Sequence, residues 1–173
     1  MEEIELTYLA RRLPEDLSSF PSKEMVDIYI PATSDHPVLR IRKRGDVCEI
    51  TKKSPITDGD ASVQKEETIP LTTEEYKEFS ALPGKWLAKT RYFYKHGGVD
   101  FEIDVLKESL EGLVVVDVEF SSVADKDKFP MPDFCLAEIT QETFIAGGML
   151  AGKTYADIEG SLKKFGYQKI TGF

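Results

Sequence analysis

Cysteine, histidine and long apolar runs are scarce in this sequence of 173 residues. The two cysteines, Cys48 and Cys135, are too few for a disulfide framework and lack the CxxC spacing of zinc sites. No apolar run approaches the roughly 20 residues of a transmembrane helix. The N-terminal stretch MEEIELTYLA lacks the basic-then-apolar order of a signal peptide. These absences predict a reduced, cytoplasmic setting without a membrane partner.

Basic side chains are in the minority, with 22 Lys and Arg against 31 Asp and Glu and a formal net charge of −9. This balance argues against a protein that binds nucleic acid through a broad basic surface, so no nucleic-acid partner is expected. A local cluster of Lys and Arg inside a cleft is still compatible with a negative net charge, because net charge does not determine where the charges lie.

The sequence is rich in strand-like alternation of apolar and polar residues. In the stretch LVVVDVEFS, Val116 and Val118 fall on one face of a strand, whereas Asp117 and Glu119 fall on the other. Two carboxylates two residues apart on a strand therefore point the same way. The segments with strand character are 2–10, 24–31, 38–44, 47–53, 62–70, 85–95, 99–107 and 113–121.

About eight strands in hairpin or short-loop succession predict an α+β fold with one large antiparallel sheet. Eight such strands can close into a barrel. The chain length favours a single domain over residues 1–173. Helices are predicted at 72–82, 123–129, 140–150 and 155–165.

The strand faces allow two arrangements that alternation alone does not separate. In the first, the polar face is a solvated surface with weak cross-strand ion pairs. In the second, the apolar faces pack against helices outside a barrel and the charged faces line a tunnel. A polyphosphate with divalent cations would offset the desolvation of that tunnel, since Arg and Lys bind phosphate oxygens and paired carboxylates bind Mg²⁺ or Mn²⁺. The tunnel would be lined by Glu3, Glu5, Arg40, Arg42, Glu49, Lys53, Glu66, Lys89, Arg91, Glu102, Asp104, Asp117 and Glu119.

Five segments resemble, in order, the motifs of the CYTH family, also called the triphosphate tunnel metalloenzymes. The ExExK strand of the family corresponds to EIELT at 3–7. Its LRxR and LTxK hairpin corresponds to LRIR at 39–42 and ITKK at 50–53, and its KxRY and EIDxF strands to KTRY at 89–92 and EIDVL at 102–106. Its GLxxxExEF segment corresponds to GLVVVDVEF at 112–120. The resemblance implies an eight-stranded antiparallel tunnel with a charged interior and helices outside, which binds triphosphate compounds with Mg²⁺ or Mn²⁺.

The resemblance also implies roles for individual side chains. The metal ligands would be Glu3, Glu5, Asp117 and Glu119. The phosphate chain would be held by Arg40, Arg42, Lys53, Lys89 and Arg91. Asp104 and Glu66 would support the metal or a water, and Lys153 would match a lysine that family members bring to the tunnel mouth. In this scheme the catalytic residues are Glu5, Asp104 and Glu119, and Glu66 and Lys153 complete the substrate site.

Two positions depart from the family pattern. Thr7 stands where the first-strand motif has a lysine that is linked to hydrolysis in triphosphatases, so a charge near the phosphate or water is lost. Asp117 replaces the usual glutamate, which shortens the reach to a metal by one methylene group.

The predicted function is metal-dependent hydrolysis of inorganic triphosphate or a related small triphosphate. Two alternatives stay open because the same tunnel serves several activities. One is a class IV-type adenylate cyclase, which makes cyclic AMP from ATP. The other is a polyphosphate- or nucleotide-binding module without turnover, which the loss of the lysine at Thr7 keeps open. Homodimers are common in this family, and the sequence itself does not specify the oligomeric state.

Overall fold

The computed structural model describes residues 2–172. The predicted domain of 1–173 also includes Met1 and Phe173, which lie outside the described residues. The strands are β1 (Glu2–Ala10), β2 (Ser22–Ile30), β3 (Leu39–Arg44), β4 (Val47–Pro55), β5 (Val63–Leu71), β6 (Lys85–His96), β7 (Val99–Leu106), β8 (Val114–Glu119) and β9 (Cys135–Glu138). The helices are α1 (Thr73–Ser80), α2 (Val123–Asp127), α3 (Gly147–Leu150) and α4 (Tyr155–Lys163), with 3-10 turns at Leu17–Ser19, Glu108–Leu110 and Thr143–Ile145.

Strands β1 to β8 close into an antiparallel barrel. Neighbouring strands follow the order β5-β4-β3-β2-β6-β7-β8-β1, and β1 also pairs with β5, which completes the circle. The closing register opposes Glu3 to Gln64, and on the other side of β1 Glu5 opposes Glu119. The predicted eight-stranded antiparallel barrel is therefore confirmed.

An apolar core covers the outer face of β1, β6, β7 and β8. Side chains that alternate with the charged ones, such as Tyr8, Ile103 and Val116, are fully buried. They pack with Leu17 and Phe134, which come from segments that cross the outside of the barrel. Burial of each such side chain stabilises the fold by about 1.5–3 kcal/mol. A slip of one residue would turn the charged side chains into this core, so the core determines which face points inward.

A second apolar cluster closes one end of the barrel interior. In β1 the inward face passes from Thr7 to Leu9, and in β8 it passes from Asp117 to Val115. Leu9 and Val115 pack with Leu150 of α3 and with further apolar residues of α4. We call this region the closed end. The charged part of the interior therefore has an apolar floor.

The helices are short and lie outside the barrel wall. Helix α1 begins with a capping box, in which the Thr72 hydroxyl accepts from the Glu75 amide and the Glu75 carboxylate accepts from the Thr72 amide. Within residues 2–172, none of the helices is both long enough and apolar enough to cross a membrane.

Two segments near the C-terminus differ from the sequence prediction. Strand β9 is not predicted; it pairs only with the end of β1, and its four residues are too few for a periodic signal. The predicted helix at 140–150 is wrong, because the extended backbone of Ala146 divides it into the turn Thr143–Ile145 and α3. Gly148 then lies so close to the Pro37 carbonyl that a Cβ would clash there.

Candidate functional site

Charged side chains line the barrel interior and are sorted by strand. Strands β1, β7 and β8 turn six carboxylates inward, which we call the acidic wall: Glu3, Glu5, Glu102, Asp104, Asp117 and Glu119. Strands β3, β4 and β6 turn six cations inward, which we call the basic wall: Arg40, Arg42, Arg44, Lys53, Lys89 and Arg91. In the circle of eight strands, β3 lies four positions from β8 and therefore across the interior from it.

The charged faces are buried rather than solvated. Arg42, Lys89 and Asp104 are all less than a tenth exposed, although each is an ionisable side chain. A solvated sheet face would leave such groups in water, so the tunnel arrangement is the one that this chain adopts.

Asp104 lies where the two walls meet and is 3% exposed. Its carboxylate accepts hydrogen bonds from Arg91 Nε and Nη2, each at 2.6 Å, and from the Lys89 ammonium. Burial would raise the pKa of Asp104, but the charges of Arg91 and Lys89 outweigh burial and hold the pKa well below its usual range. Arg91 also donates to Glu102. Asp104 therefore holds two cations of the basic wall in place.

Asp27 in β2 holds a third cation. Its side chain is 1% exposed and accepts from Arg42 Nε at 2.6 Å and from Arg42 Nη2 at 2.8 Å. Burial would raise the pKa of Asp27, but the Arg42 charge and these hydrogen bonds outweigh burial and lower the pKa to about 2. This bidentate pair uses two of the three guanidinium nitrogens and leaves Arg42 Nη1 for another partner.

The Lys53 ammonium joins the basic wall to the acidic wall. Its Nζ forms a close ion pair with Glu3 and lies 3.4 Å from Glu5 Oε1 and 3.8 Å from Glu66 Oε2. Burial would lower the pKa of Lys53, but the charges of Glu5 and Glu3 outweigh burial and raise it. Glu66 also accepts a hydrogen bond of 2.9 Å from the Thr68 hydroxyl.

The acidic wall carries the donors that a divalent cation needs. Burial raises the pKa of Glu5 to about 7; Lys53 opposes this rise, and the charges of Asp117 and Glu3 add to it. Burial and neighbouring carboxylates also raise the pKa of Asp117 and of Glu119. Carboxylates that repel one another in this way are stabilised by a cation, and oxygen donors suit Mg²⁺ or Mn²⁺. Glu3 Oε2 is buried and contacts the Lys53 ammonium.

A finished metal site is not formed in residues 2–172, where no three His, Cys, Asp or Glu side chains converge on one point. Two carboxylates of the acidic wall are turned toward other partners: Glu5 toward Lys53, and Asp117 toward Arg91 and the Thr7 hydroxyl. The donor set therefore fits a divalent cation by its chemistry, and its side chains must turn from these partners to bind one.

Two arginines of the basic wall keep unused hydrogen-bond donors. Arg40 Nε and Arg44 Nε are buried atoms without a hydrogen-bond partner. The Arg44 side chain makes one long ion pair, at 3.9 Å, to Glu49. Buried donors of this kind are costly unless an acceptor arrives, so both groups are suited to an anion.

Thr7, which stands at the position of the family lysine, places a neutral hydroxyl there instead of a charge. Its hydroxyl donates a hydrogen bond of 2.8 Å to Asp117 Oδ1. Arg91 Nη2 lies 3.5 Å from the other oxygen of Asp117. Beside Asp117, β1 therefore contributes a neutral hydroxyl, and the positive charge comes from Arg91 of β6.

Lys153 is not brought together with the two walls. It lies in the turn between α3 and α4, where its carbonyl accepts a hydrogen bond from Ser109. Hydrogen bonds from Thr154 and, more weakly, the Lys153 charge lower the pKa of Asp157 at the start of α4. Among the described residues, none of the ion pairs of the interior includes Lys153. The buried Leu150 and Ala151 anchor this turn at the closed end, which explains its place.

Sequence reasoning missed Asp27. The signal was present, because Asp27 is a single acid within the otherwise apolar strand MVDIYI and alternates with Met25 and Tyr29. No family motif includes this strand, so its faces were not assigned. The sequence predicts Glu102 in the tunnel without a specific role; in the structure it contacts Arg91.

A groove of about 630 Å³ lies outside this charged interior. It is formed by the loop that follows β2 and by the segment before β6, including Pro31, Pro37, Leu82 and Pro83. Its lining is mainly apolar and includes no residue of either wall, so it is separate from the candidate site.

Comparisons with known proteins agree with this geometry. No protein-family model matches the sequence. The inorganic triphosphatase of Nitrosomonas europaea is 31% identical over 144 residues, which cover 82% of this chain and 91% of that relative. A crystal structure of an inorganic triphosphatase superposes with a TM-score of 0.63 at 25% identity, over 87% of this chain and 95% of the other. A Hippeastrum protein, described as a putative adenylyl cyclase with a dominant triphosphatase activity, shares the fold at a TM-score of 0.52 and 14% identity, over 99% of this chain and 91% of the other. This chain therefore belongs to the CYTH family of triphosphate tunnel enzymes.

Proposed function

We propose that this chain hydrolyses inorganic triphosphate, or a related small triphosphate, with Mg²⁺ or Mn²⁺. The observation that carries the proposal is an acidic wall opposite a basic wall inside one closed barrel. A triphosphate with a divalent cation presents both signs of charge and would neutralise both walls at once. The relationship to the Nitrosomonas europaea inorganic triphosphatase supports the same reaction.

The basic wall would bind the phosphate chain. Arg40 and Arg44 offer buried donors without a hydrogen-bond partner, and Arg42 offers the nitrogen that Asp27 leaves unused. Arginine binds phosphate oxygens through planar paired donors, which fixes the orientation of the chain as well as its charge. Charge that builds on the transferring oxygens during hydrolysis would be stabilised by donors that are already in place.

The acidic wall would hold the metal and orient the attacking water. Glu3, Glu5, Asp117 and Glu119 would hold the cation, which when bound polarises a phosphoryl oxygen. Asp104, also predicted as catalytic, is better suited to positioning, because its carboxylate is bonded to Arg91 and Lys89 and its pKa lies far below the usual range. Among the described residues, no arginine forms an ion pair with Glu5 or Glu119. These two carboxylates would therefore orient the water.

The closed end favours a short phosphate chain. Its floor is formed by apolar groups such as Leu9, Val115 and Leu150, which offer no charged partner to further phosphates. We propose that the substrate therefore enters from the opposite end, where Glu119 is exposed. A homodimer and a cytoplasmic location stay predictions from the sequence and the family resemblance.

A phosphate-release assay tests this proposal directly. The substrates are inorganic triphosphate, ATP and thiamine triphosphate, each with Mg²⁺, with Mn²⁺ and with a chelator. We expect metal-dependent release from inorganic triphosphate and no release with the chelator. Cyclic AMP formed from ATP would indicate the cyclase instead, and triphosphate that binds without turnover would indicate a binding module.

A further inference from the structure

The Lys53 ammonium sits among three carboxylates. It contacts Glu3 closely and lies 3.4 Å from Glu5 and 3.8 Å from Glu66. One positive charge thus faces three groups that are negative when ionised. Two of them, Glu3 and Glu5, belong to the proposed metal ligands, so Lys53 contacts the groups that a divalent cation would contact.

Lys53 is held less rigidly than Arg42 and Arg91 of the basic wall. Arg42 and Arg91 are each held by two N–H donors to one aspartate, and their side chains are 8% and 11% exposed. The Lys53 side chain is 25% exposed. Its ammonium is a point charge on a flexible four-carbon chain, which can change partners without breaking a planar bidentate geometry.

We propose, on the basis of the function proposed above, that Lys53 takes the place of the divalent cation between Glu3 and Glu5 and passes to the phosphate chain when the cation binds. The ligand of this site is then the complex of cation and triphosphate, and each part binds weakly by itself. Lys53 is in this sense a positioning residue that couples the metal site to the phosphate site.

The charges explain why each part alone would bind weakly. A cation that arrives alone must displace the ammonium from Glu3 and Glu5, and Lys53 then keeps only Glu66, the most distant of its three carboxylates at 3.8 Å. A phosphate chain that arrives alone draws Lys53 away and leaves the buried carboxylates unpaired, which is costly. When both bind, the ammonium moves from carboxylates to phosphate and no charge is left uncompensated. Such coupling must be reciprocal between the two ligands.

A binding cycle without turnover tests the coupling. The dissociation constant of Mn²⁺ is measured by electron paramagnetic resonance with and without imidotriphosphate, a triphosphate analogue that resists hydrolysis. In the unchanged protein we expect the analogue to tighten Mn²⁺ by about tenfold or more, within the usual range for coupled sites. In Lys53→Met we expect Mn²⁺ alone to bind more tightly, by about tenfold, and the effect of the analogue to shrink to less than about threefold.

Matched variants separate this role from a general loss of charge. Lys52→Met removes the neighbouring lysine, which is exposed on the outer face of β4, and should leave the cycle unchanged. Lys53→Arg keeps the charge and should retain most of the coupling. Circular dichroism establishes that each variant is folded, and Lys53→Gln replaces Lys53→Met if the latter does not fold.

The outcomes distinguish this inference from the proposed function. An unchanged protein that binds neither Mn²⁺ nor the analogue would overturn the proposed function itself. If both ligands bind and Lys53→Met retains the full coupling, the triphosphate site stands and the role of Lys53 is refuted. Solution chelation of Mn²⁺ by the analogue is common to all variants, so the difference between them reports on Lys53.

Discussion

Replacement of Glu119 by glutamine is expected to lower kcat for inorganic triphosphate by about 100-fold or more, at the upper end of what a lost partner costs a metal site. The amide keeps the size of the side chain but loses the charge that a divalent cation requires. Glu119 is exposed and forms no ion pair in the described chain, so the fold should not depend on it. Steady-state phosphate release over a range of Mg²⁺ concentrations gives the loss in kcat and in metal affinity.

The matched control for Glu119→Gln is Glu67→Gln. Glu67 is an exposed glutamate of β5 that pairs with Lys65 on the outer face, away from both walls. The Glu67→Gln variant should hydrolyse triphosphate at the rate of the unchanged protein, and both variants should unfold at the same temperature. A Glu119→Gln enzyme with an unaltered rate would remove Glu119 from the metal ligands.

Replacement of Asp27 by asparagine is expected to lower the free energy of unfolding by about 3–5 kcal/mol, because it leaves the buried Arg42 charge without its partner. Asp27 is 1% exposed and Arg42 is 6% exposed, so water cannot compensate for the lost carboxylate. Urea unfolding at neutral pH measures the change. The control is Asp100→Asn, which breaks an exposed ion pair with Lys95 at 3.2 Å. Its free energy of unfolding should change by no more than about 0.5 kcal/mol. Equal effects of the two substitutions would mean that the Asp27–Arg42 pair does not stabilise the barrel.

The same pair makes the stability depend on pH in a known direction. The folded pKa of Asp27 is about 2, below the ordinary value of 3.8, so the unfolded chain binds the proton more readily. The stabilisation is therefore present above the unfolded pKa of 3.8 and is lost progressively as the pH falls through that value toward 2. We expect the difference in unfolding free energy between the unchanged protein and Asp27→Asn to shrink as the pH drops from 5 to 3. A difference that stays constant over this interval would contradict the lowered pKa of Asp27.

Local alternation was sufficient to predict most strands and their faces. In β8 the apolar Val114, Val116 and Val118 lie in the outer core, as their spacing indicates. Asp117 lies in the interior and Glu119 at its exposed rim, opposite Thr7 and Glu5 of β1. The faces predicted from alternation are those of the folded barrel, because a shift by one residue would bury a row of charges in an apolar core.

Local pattern was insufficient where long-range contacts decide the structure. The segment 140–150 has helical composition, but its chain is bent so that Gly148 passes close to the Pro37 carbonyl and Leu150 reaches the closed end. Strand β9 exists only because the end of β1 offers free backbone groups. Neither the bend in 140–150 nor the pairing of β9 with β1 produces a periodic pattern in the local sequence.

The sequence by itself determined where the strands lie along the chain and which side chains share a charged face, and its motifs indicated the family. That the charged faces point inward was decided by the closed barrel and its outer core. The partners of those charges were decided only by the tertiary structure: Asp27 with Arg42, Asp104 with Arg91 and Lys89, and Lys53 with Glu3 and Glu5. The physical reason is that alternation specifies a face, whereas an ion pair needs two side chains from strands that the closed barrel brings together. Closure of β1 on β5 places Lys53 beside Glu3, and no spacing along the chain contains that contact.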